Sequence, residues 1–154
     1  MKIFNFNKFL LYYFSVLLLT IGSSATAKDF YSVGACRASI DGLYTIYGNS
    51  TLDKLSQRAA RTAADNRDLS KKLSPIYIYC TENYAEVNPG AKSTGSSKSD
   101  GELIFSSCTK KMTTDEKNYL VGYFVGVNYI YKQIEKGTDF DFMWINSMCF
   151  TGRD

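Results

Sequence analysis

Apolar residues recur every three or four positions along much of this chain, and that spacing places their side chains on one face of an α-helix. A first predicted helix ends at Gly48-Asn49 and carries its apolar face on Val33, Cys36, Ile40, Leu43 and Tyr47. Ser50 or Thr51 is expected to cap a second helix. The apolar face of that second helix consists of Leu52, Leu55, Ala59, Ala63, Leu69 and Leu73.

Ser74-Pro75 is expected to stop the second helix and to open a third, because serine caps helices and proline suits the first turn. The following Ile76-Tyr77-Ile78-Tyr79 also has strand propensity. A helix is favoured because a helical stripe continues through Ile76, Cys80, Tyr84 and Val87. Residues 88–101 contain a proline, three glycines and four serines, so the sequence predicts a flexible loop there.

The second half of the chain begins with a short predicted helix, which Asp100 caps and which carries Leu103, Ile104 and Cys108. Thr113 or Thr114 caps the clearest helix of the sequence, and Gly137 ends it. The stripe expected to face the core of the protein is Leu120, Phe124, Val127, Tyr131 and Ile134. The tail is either a further short helix, capped by Thr138 or Asp139, or an extended segment.

The first 27 residues have the pattern of a cleaved export signal. Lys2 and Lys8 supply positive charge, Phe9–Ile21 is a mostly apolar run, and Ala25-Thr26-Ala27 is the small-x-small pattern that signal peptidases recognise. The run is shorter than the roughly 20 residues that span a bilayer. We therefore expect residues 28–154 to form a single periplasmic or secreted domain without a transmembrane anchor after processing.

Removing the leader also changes the charge of the protein. Without its two lysines, the 18 basic side chains of the chain become 16, against 15 acidic ones. The expected net charge is then about +1, and such a balance does not favour nucleic acid as a partner.

Four cysteines, Cys36, Cys80, Cys108 and Cys149, are expected to form two disulfides in an oxidising compartment. All three pairings remain open at the level of sequence. We favour Cys36–Cys80 with Cys108–Cys149, because each bond then lies within one half of the chain. The chain has no C-x-x-C pair and no histidine, so we expect neither a metal nor another cofactor.

The absence of histidine from all 154 residues narrows the classes of enzyme that the chain could represent. Histidine-dependent hydrolases and nucleases and the common catalytic zinc sites are excluded. Carboxylate-pair chemistry remains, with Asp139 and Asp141, together with Glu82 and Glu102, as the acids to test. A helix cap and a surface charge explain Asp139 and Asp141 more simply. The sharper alternative is an acidic inhibitory finger that enters the cleft of another enzyme. No catalytic residue is predicted.

Gly122 and Gly126 lie inside the clearest predicted helix, where each glycine costs roughly 1 kcal/mol relative to alanine. Close approach of a second helix would offset that cost. Among the aromatic residues, we expect Tyr47, Tyr123 and Phe124 in the core. Candidates for contact with a partner are Tyr77, Tyr79 and Tyr129, because tyrosine combines a large apolar area with a polar tip.

Part of the chain resembles a known family through Cys108, the glycine helix Gly122–Val127 and the segment Met148-Cys149-Phe150. These residues look like the Rap/Tai family of small periplasmic immunity proteins, with Leu103-Ile104-Phe105 as the early Leu-rich turn of its motif. The resemblance extends from Glu102 to Phe150. It implies a helical, disulfide-bonded protein that protects a bacterium from type VI secretion effectors, including peptidoglycan amidases.

Together these patterns predict a mostly α-helical, disulfide-stapled domain of four to five helices, exported to the periplasm of a diderm bacterium. The favoured function is an exported binding protein that neutralises a toxin or hydrolase by occluding it, and a homodimer is left open. The alternatives are a carboxylate-dependent enzyme acting on the cell wall and a periplasmic chaperone or stress protein.

Overall fold

Helices make up most of the described part of the chain. The computed structural model describes residues 29–50, 55, 57–87, 90, 92–108, 111–137 and 140–151. The helices in these ranges are α1 Phe30–Tyr47, α2 Gln57–Asp65, α3 Arg67–Glu82, α4 Tyr84–Val87, α5 Ser97–Cys108, α6 Thr114–Lys136 and α7 Phe142–Thr151. The predicted mostly α-helical, disulfide-containing domain is confirmed. The predicted leader with its cleavage site, and the candidate caps Thr51, Thr138 and Asp139, lie outside the described residues.

A parallel pair of helices, α1 and α6, forms the centre of the fold. Gly122 faces the backbone of Tyr31, and Gly126 faces the backbone of Ala35. Both helices advance by four residues between these two contacts, so they run in the same direction. A Cβ atom at Gly126 would lie 2.6 Å from the carbonyl oxygen of Ala35, which leaves no room for any side chain there. The two glycines thus lie where a second helix approaches most closely.

Among the described residues, the core consists of two clusters, and each cluster contains one disulfide. The first cluster includes Ile40, Leu43, Ile130 and Ile145 around the bond between Cys36 and Cys149. The second cluster lies at the other end of the α1–α6 pair and includes Val33, Leu73, Ile104, Phe105, Tyr119 and Leu120, packed around the bond between Cys80 and Cys108.

The favoured cysteine pairing, Cys36–Cys80 with Cys108–Cys149, was wrong. The bonds are Cys36–Cys149, the α1–α7 disulfide, and Cys80–Cys108, the α3–α5 disulfide. Nearness along the chain misled because α7 folds back onto α1, 113 residues from Cys36. By the chain-entropy relation, the α1–α7 disulfide, which closes this long loop, stabilises the fold by about 5 kcal/mol. The α3–α5 disulfide, which closes a shorter loop, stabilises it by about 3.5 kcal/mol.

The helix boundaries in the middle of the chain differ from the prediction. The predicted second helix is divided at Asn66, a buried residue whose side-chain amide donates to the carbonyl of Thr62 at 2.8 Å. Pro75 does not stop a helix, because α3 continues through it with the buried anchors Leu73 and Cys80 on either side. The division at Asn66 and the separate one-turn helix α4 give more helices than the four to five predicted.

Two further helix starts also differ from the prediction. The predicted loop 88–101 is helical from Ser97 onward, and Asp100 does not cap α5. Its carboxylate instead accepts hydrogen bonds from the Ser93 hydroxyl at 2.6 Å and the Thr94 backbone N–H at 2.7 Å. The tail is helical, and Asp141 caps it by accepting from the backbone N–H groups of Met143 and Trp144.

Helix α6 begins and ends as predicted, but a different face of it is buried. Thr113 and Glu116 form a reciprocal capping box, and Gly137 ends the helix in the left-handed conformation. The buried face follows Gly122 and Gly126, because only glycines let α1 approach so closely. Tyr131 and Ile134 of the predicted core stripe are 63% and 51% exposed. Tyr47, also expected in the core, is exposed as well.

Candidate functional site

The apolar stripe that α6 leaves uncovered forms the floor of a groove. One wall is the second half of α1, from Ala38 to Ile46, and it encloses a cavity of about 300 Å³. The other wall is the middle of α3, from Ser70 to Ile78, and it encloses a cavity of about 250 Å³. Tyr123 and Val127 line both cavities, so the two form one continuous surface that we call the α6 groove.

The groove is long enough to receive a segment of another protein. Its open floor extends from Tyr123 to Ile134, and a helix rising 1.5 Å per residue covers about 16 Å over that distance. Tyr131 and Ile134 are largely exposed at one end of the floor. Ile46 and Ile78, both exposed, lie on the two walls. The groove therefore offers large apolar side chains to solvent in one contiguous place, and such patches mark interaction sites.

A single carboxylate lies in the apolar wall that α1 contributes. The Oδ2 atom of Asp41 accepts from Nε of Arg37 at 2.9 Å and from the Tyr123 hydroxyl at 3.3 Å, and Oδ1 lies 2.8 Å from Nη2 of Arg37. Arg37 also donates to the carbonyl of Ala63 at 3.0 Å, which ties α1 to the end of α2. Burial, and then the charge of Asp41, raise the pKa of Tyr123, so its hydroxyl stays protonated and donates.

The wall that α3 contributes is built on aromatic contacts. The ring of Tyr77 stacks on Phe105 at 5.8 Å between centroids and meets the edge of Tyr123 at 5.0 Å. Burial raises the pKa of Tyr77 to about 12. Tyr77 was expected to be an exposed contact residue, but it is half-buried and supports the groove from one side.

The structure does not bring the other predicted partner-binding residues into the groove. Tyr79 is exposed on α3 but is not among the residues that line either cavity. Tyr129 is half-buried against Trp144, with 4.0 Å between ring centroids. Its hydroxyl accepts the backbone N–H of Asp141 at 2.9 Å. Tyr129 and Asp141 therefore lie together at the α6–α7 junction, and Asp139 is outside the described residues.

Two of the acids proposed for catalysis, Asp141 and Glu102, have structural partners. Oδ1 of Asp141 accepts from the backbone N–H groups of Met143 at 2.9 Å and Trp144 at 3.1 Å. Glu102 lies 3.9 Å from the ammonium of Lys98, one helical turn away. Within the described ranges, no cluster of three or more acids and cysteines has the arrangement needed to hold a metal ion.

Comparison of the chain with protein-family models, curated proteins and solved structures found no match. None of the described helices is long and apolar enough to cross a membrane. The resemblance to the Rap/Tai family therefore stays a prediction, and the groove is interpreted from its own geometry.

Sequence reasoning missed Arg37 and Asp41 as site residues, although a signal for them was present. They are the only charged residues in the sequence from Phe30 to Asp41. They lie four positions apart on a helix, which is the spacing of an ion pair. The sequence also shows the apolar stripe of α6, but it does not show that Tyr131 and Ile134 are exposed. An apolar stripe has the same periodicity whether the fold covers it or leaves it for a partner.

Proposed function

We propose that this chain is an exported binding protein that neutralises a partner by occluding it, and that the α6 groove is the docking surface. In its most specific form the proposal is a periplasmic immunity protein or inhibitor that acts on a toxin or hydrolase. The observation that carries it is the exposure of Tyr131 and Ile134, at the C-terminal end of the groove floor, beside the larger of the two apolar cavities.

The rigidity of the groove supports this proposal. Its floor and one wall belong to the α1–α6 pair, which is held at backbone contact by Gly122 and Gly126. The other wall, α3, is joined to α5 by the α3–α5 disulfide. A surface that is already ordered loses little conformational entropy on binding, which favours affinity.

The composition of the groove supports a protein partner. Tyrosine and isoleucine side chains dominate its exposed rim, and tyrosine is enriched among the residues that contribute most to protein interfaces. The two disulfides are compatible with an oxidising compartment outside the cytosol.

The family resemblance supports the class of partner. The motif residues Cys108 and Cys149 are both disulfide-bonded, and Gly122 lies at the helix crossing. The resemblance therefore concerns residues that fix the helices around the groove. It motivates the proposal that the partner is a type VI secretion effector such as a peptidoglycan amidase.

Capture of a partner from periplasmic extract of the native organism tests the docking surface. Three forms of the oxidised, tagged protein are compared: wild type, Tyr131→Glu in the groove, and Met143→Glu as the matched control. Met143 is 83% exposed on α7 and does not line either cavity. Both changes place a glutamate at an exposed apolar position of a helix, so neither should disturb folding.

We expect wild type and Met143→Glu to capture the same stoichiometric partner. Tyr131→Glu should weaken its binding by at least roughly 30-fold, the size of the loss at an interface residue that contributes about 2 kcal/mol. Producing the captured partner in the periplasm of a test strain should arrest growth, and co-producing wild type should restore it. Equal capture by all three forms, or a captured partner without toxic or hydrolytic activity, would contradict the proposal.

A further inference from the structure

We infer that the α6 groove accepts a segment of a partner protein that carries one lysine or arginine side chain between apolar side chains, with the cation placed at Asp41. This inference rests on the proposed function, because it specifies the chemistry of the segment that docks in the groove.

The charge of the groove wall points to a cation. Among the described residues that line the two cavities, Asp41 carries the only charge. The Asp41 side chain is 35% exposed, whereas its partner Arg37 is 20% exposed and does not line either cavity. The ion pair therefore presents its negative end to the groove. A guest carboxylate at this position would meet a like charge, which disfavours binding.

The hydrogen bonds of Asp41 leave room for one more donor. A carboxylate offers about four acceptor positions. Three are occupied, by Nε and Nη2 of Arg37 and by the Tyr123 hydroxyl. The ring of Tyr123 lines both cavities beside the carboxylate, and an aromatic ring also attracts a cation.

The apolar surfaces around Asp41 indicate which guest side chains lie on either side of the cation. The larger cavity is lined mainly by aliphatic and aromatic side chains, and the second cavity continues it beyond Val127. Apolar side chains of the guest on both sides of its cation would fill the two cavities. The length of the open floor, about 16 Å, suits an amphipathic helix of roughly 11 residues, which presents such side chains at i, i+3 or i+4, and i+7.

A displayed peptide library tests this chemistry directly. Peptides of about 16 residues, helical by design, carry an apolar face and one randomised position within it. The library is selected against the whole oxidised protein, against Asp41→Asn and against Thr45→Lys. Thr45 is an exposed residue of the groove wall, one turn after Asp41, so a lysine there can pair with Asp41 without disturbing the core.

Ser106→Lys is the matched control for Thr45→Lys. Ser106 is also exposed on a helix and also donates its hydroxyl to a preceding carbonyl, but it does not line either cavity. Wild type and Ser106→Lys should enrich lysine or arginine over glutamate at the randomised position by about fivefold, the upper end for one partly exposed ion pair. Both groove variants should lose that preference while they continue to select the apolar residues.

The inference is overturned if no peptide is enriched, if the selected residue is acidic or uncharged, or if the basic preference survives in Thr45→Lys. Thr45→Lys decides the question even if Asp41→Asn unfolds, which circular dichroism would show. A basic preference in the library without capture of a natural partner contradicts the proposed function instead. Capture that depends on Tyr131, without a basic preference, contradicts only this inference.

Discussion

Substituting Gly122 by alanine is expected to destabilise the protein, because the new methyl group would enter the backbone of α1. A Cβ at this position overlaps the carbonyl oxygen of Tyr31 and lies 2.7 Å from its carbonyl carbon. No rotation of a side chain can relieve a contact with backbone. The α1–α6 pair would have to separate by about 1 Å, and close-packed interiors lose much of their contact energy over such a gap.

The expected magnitude is the difference between two effects. Overpacking a core costs about 3 kcal/mol when the obstacle cannot move. Replacing glycine by alanine within a helix returns about 1 kcal/mol of helix propensity. We therefore expect a net loss of about 2 kcal/mol in the free energy of unfolding, which corresponds to a fall of roughly 6–8 °C in the melting temperature.

Gly101→Ala is the matched control, because it makes the same change inside α5. The nearest neighbour of a Cβ there is a ring carbon of Phe124 at 3.3 Å, which a small rotation of the ring can move. Its stability should lie between that of wild type and about 1 kcal/mol above it. Urea unfolding of the oxidised proteins gives both values. If Gly122→Ala is as stable as Gly101→Ala, the close approach of α1 and α6 is not what holds the groove in shape.

Three further predictions concern the disulfides, the helix caps and the α6–α7 junction. Limited treatment with a dithiol should reduce the α3–α5 disulfide first, because Cys108 is half-buried whereas the other three cysteines are fully buried. Alkylation followed by mass spectrometry identifies the order of reduction. Earlier reduction of the α1–α7 disulfide would contradict the prediction. Hydrogen bonds from Lys72 and from the Thr113 backbone lower the pKa of Glu116 in the folded state. The ionised Glu116 carboxylate should therefore contribute its full stabilisation above its ordinary pKa of 4.5. This stabilisation should disappear as the pH falls through the lowered pKa. Glu116→Gln should consequently lose less stability than wild type between pH 7 and pH 3 in urea titrations, and an equal loss would exclude this role. Tyr129→Phe should cost about 1–2 kcal/mol by removing the two hydrogen bonds between its hydroxyl and the Asp141 backbone. The emission of Trp144, the only tryptophan, should stay nearly unchanged because the stacked ring remains, and a large spectral shift would refute this.

Features determined by neighbouring residues were predictable from the sequence. The beginning of α6 depends on Thr113 and Glu116, three positions apart, and its end depends on Gly137. Such caps act within one helical turn, so the residues that specify them are close together in the chain. The same reasoning predicted the first helix and its end at Gly48.

Features determined by distant residues were not predictable. The cysteine pairing depends on the return of α7 to α1, which no local pattern of residues around Cys36 specifies. The exposure of Tyr131 depends on which face of α6 the glycines present to α1, and periodicity alone does not distinguish that face from its neighbour. The spacing of Arg37 and Asp41 indicates their ion pair, but the place of Asp41 in the groove depends on the Tyr123 hydroxyl, 82 positions later in the chain.

A photo-cross-linking measurement tests most directly whether a partner docks in the α6 groove. A benzophenone amino acid replaces Tyr131 in the groove or Met143 on α7, and each oxidised protein is irradiated in periplasmic extract. The account predicts one strong cross-linked partner from position 131 and little or none from position 143. Cross-linking from position 143 alone, or equally from both positions, would show that the partner binds elsewhere.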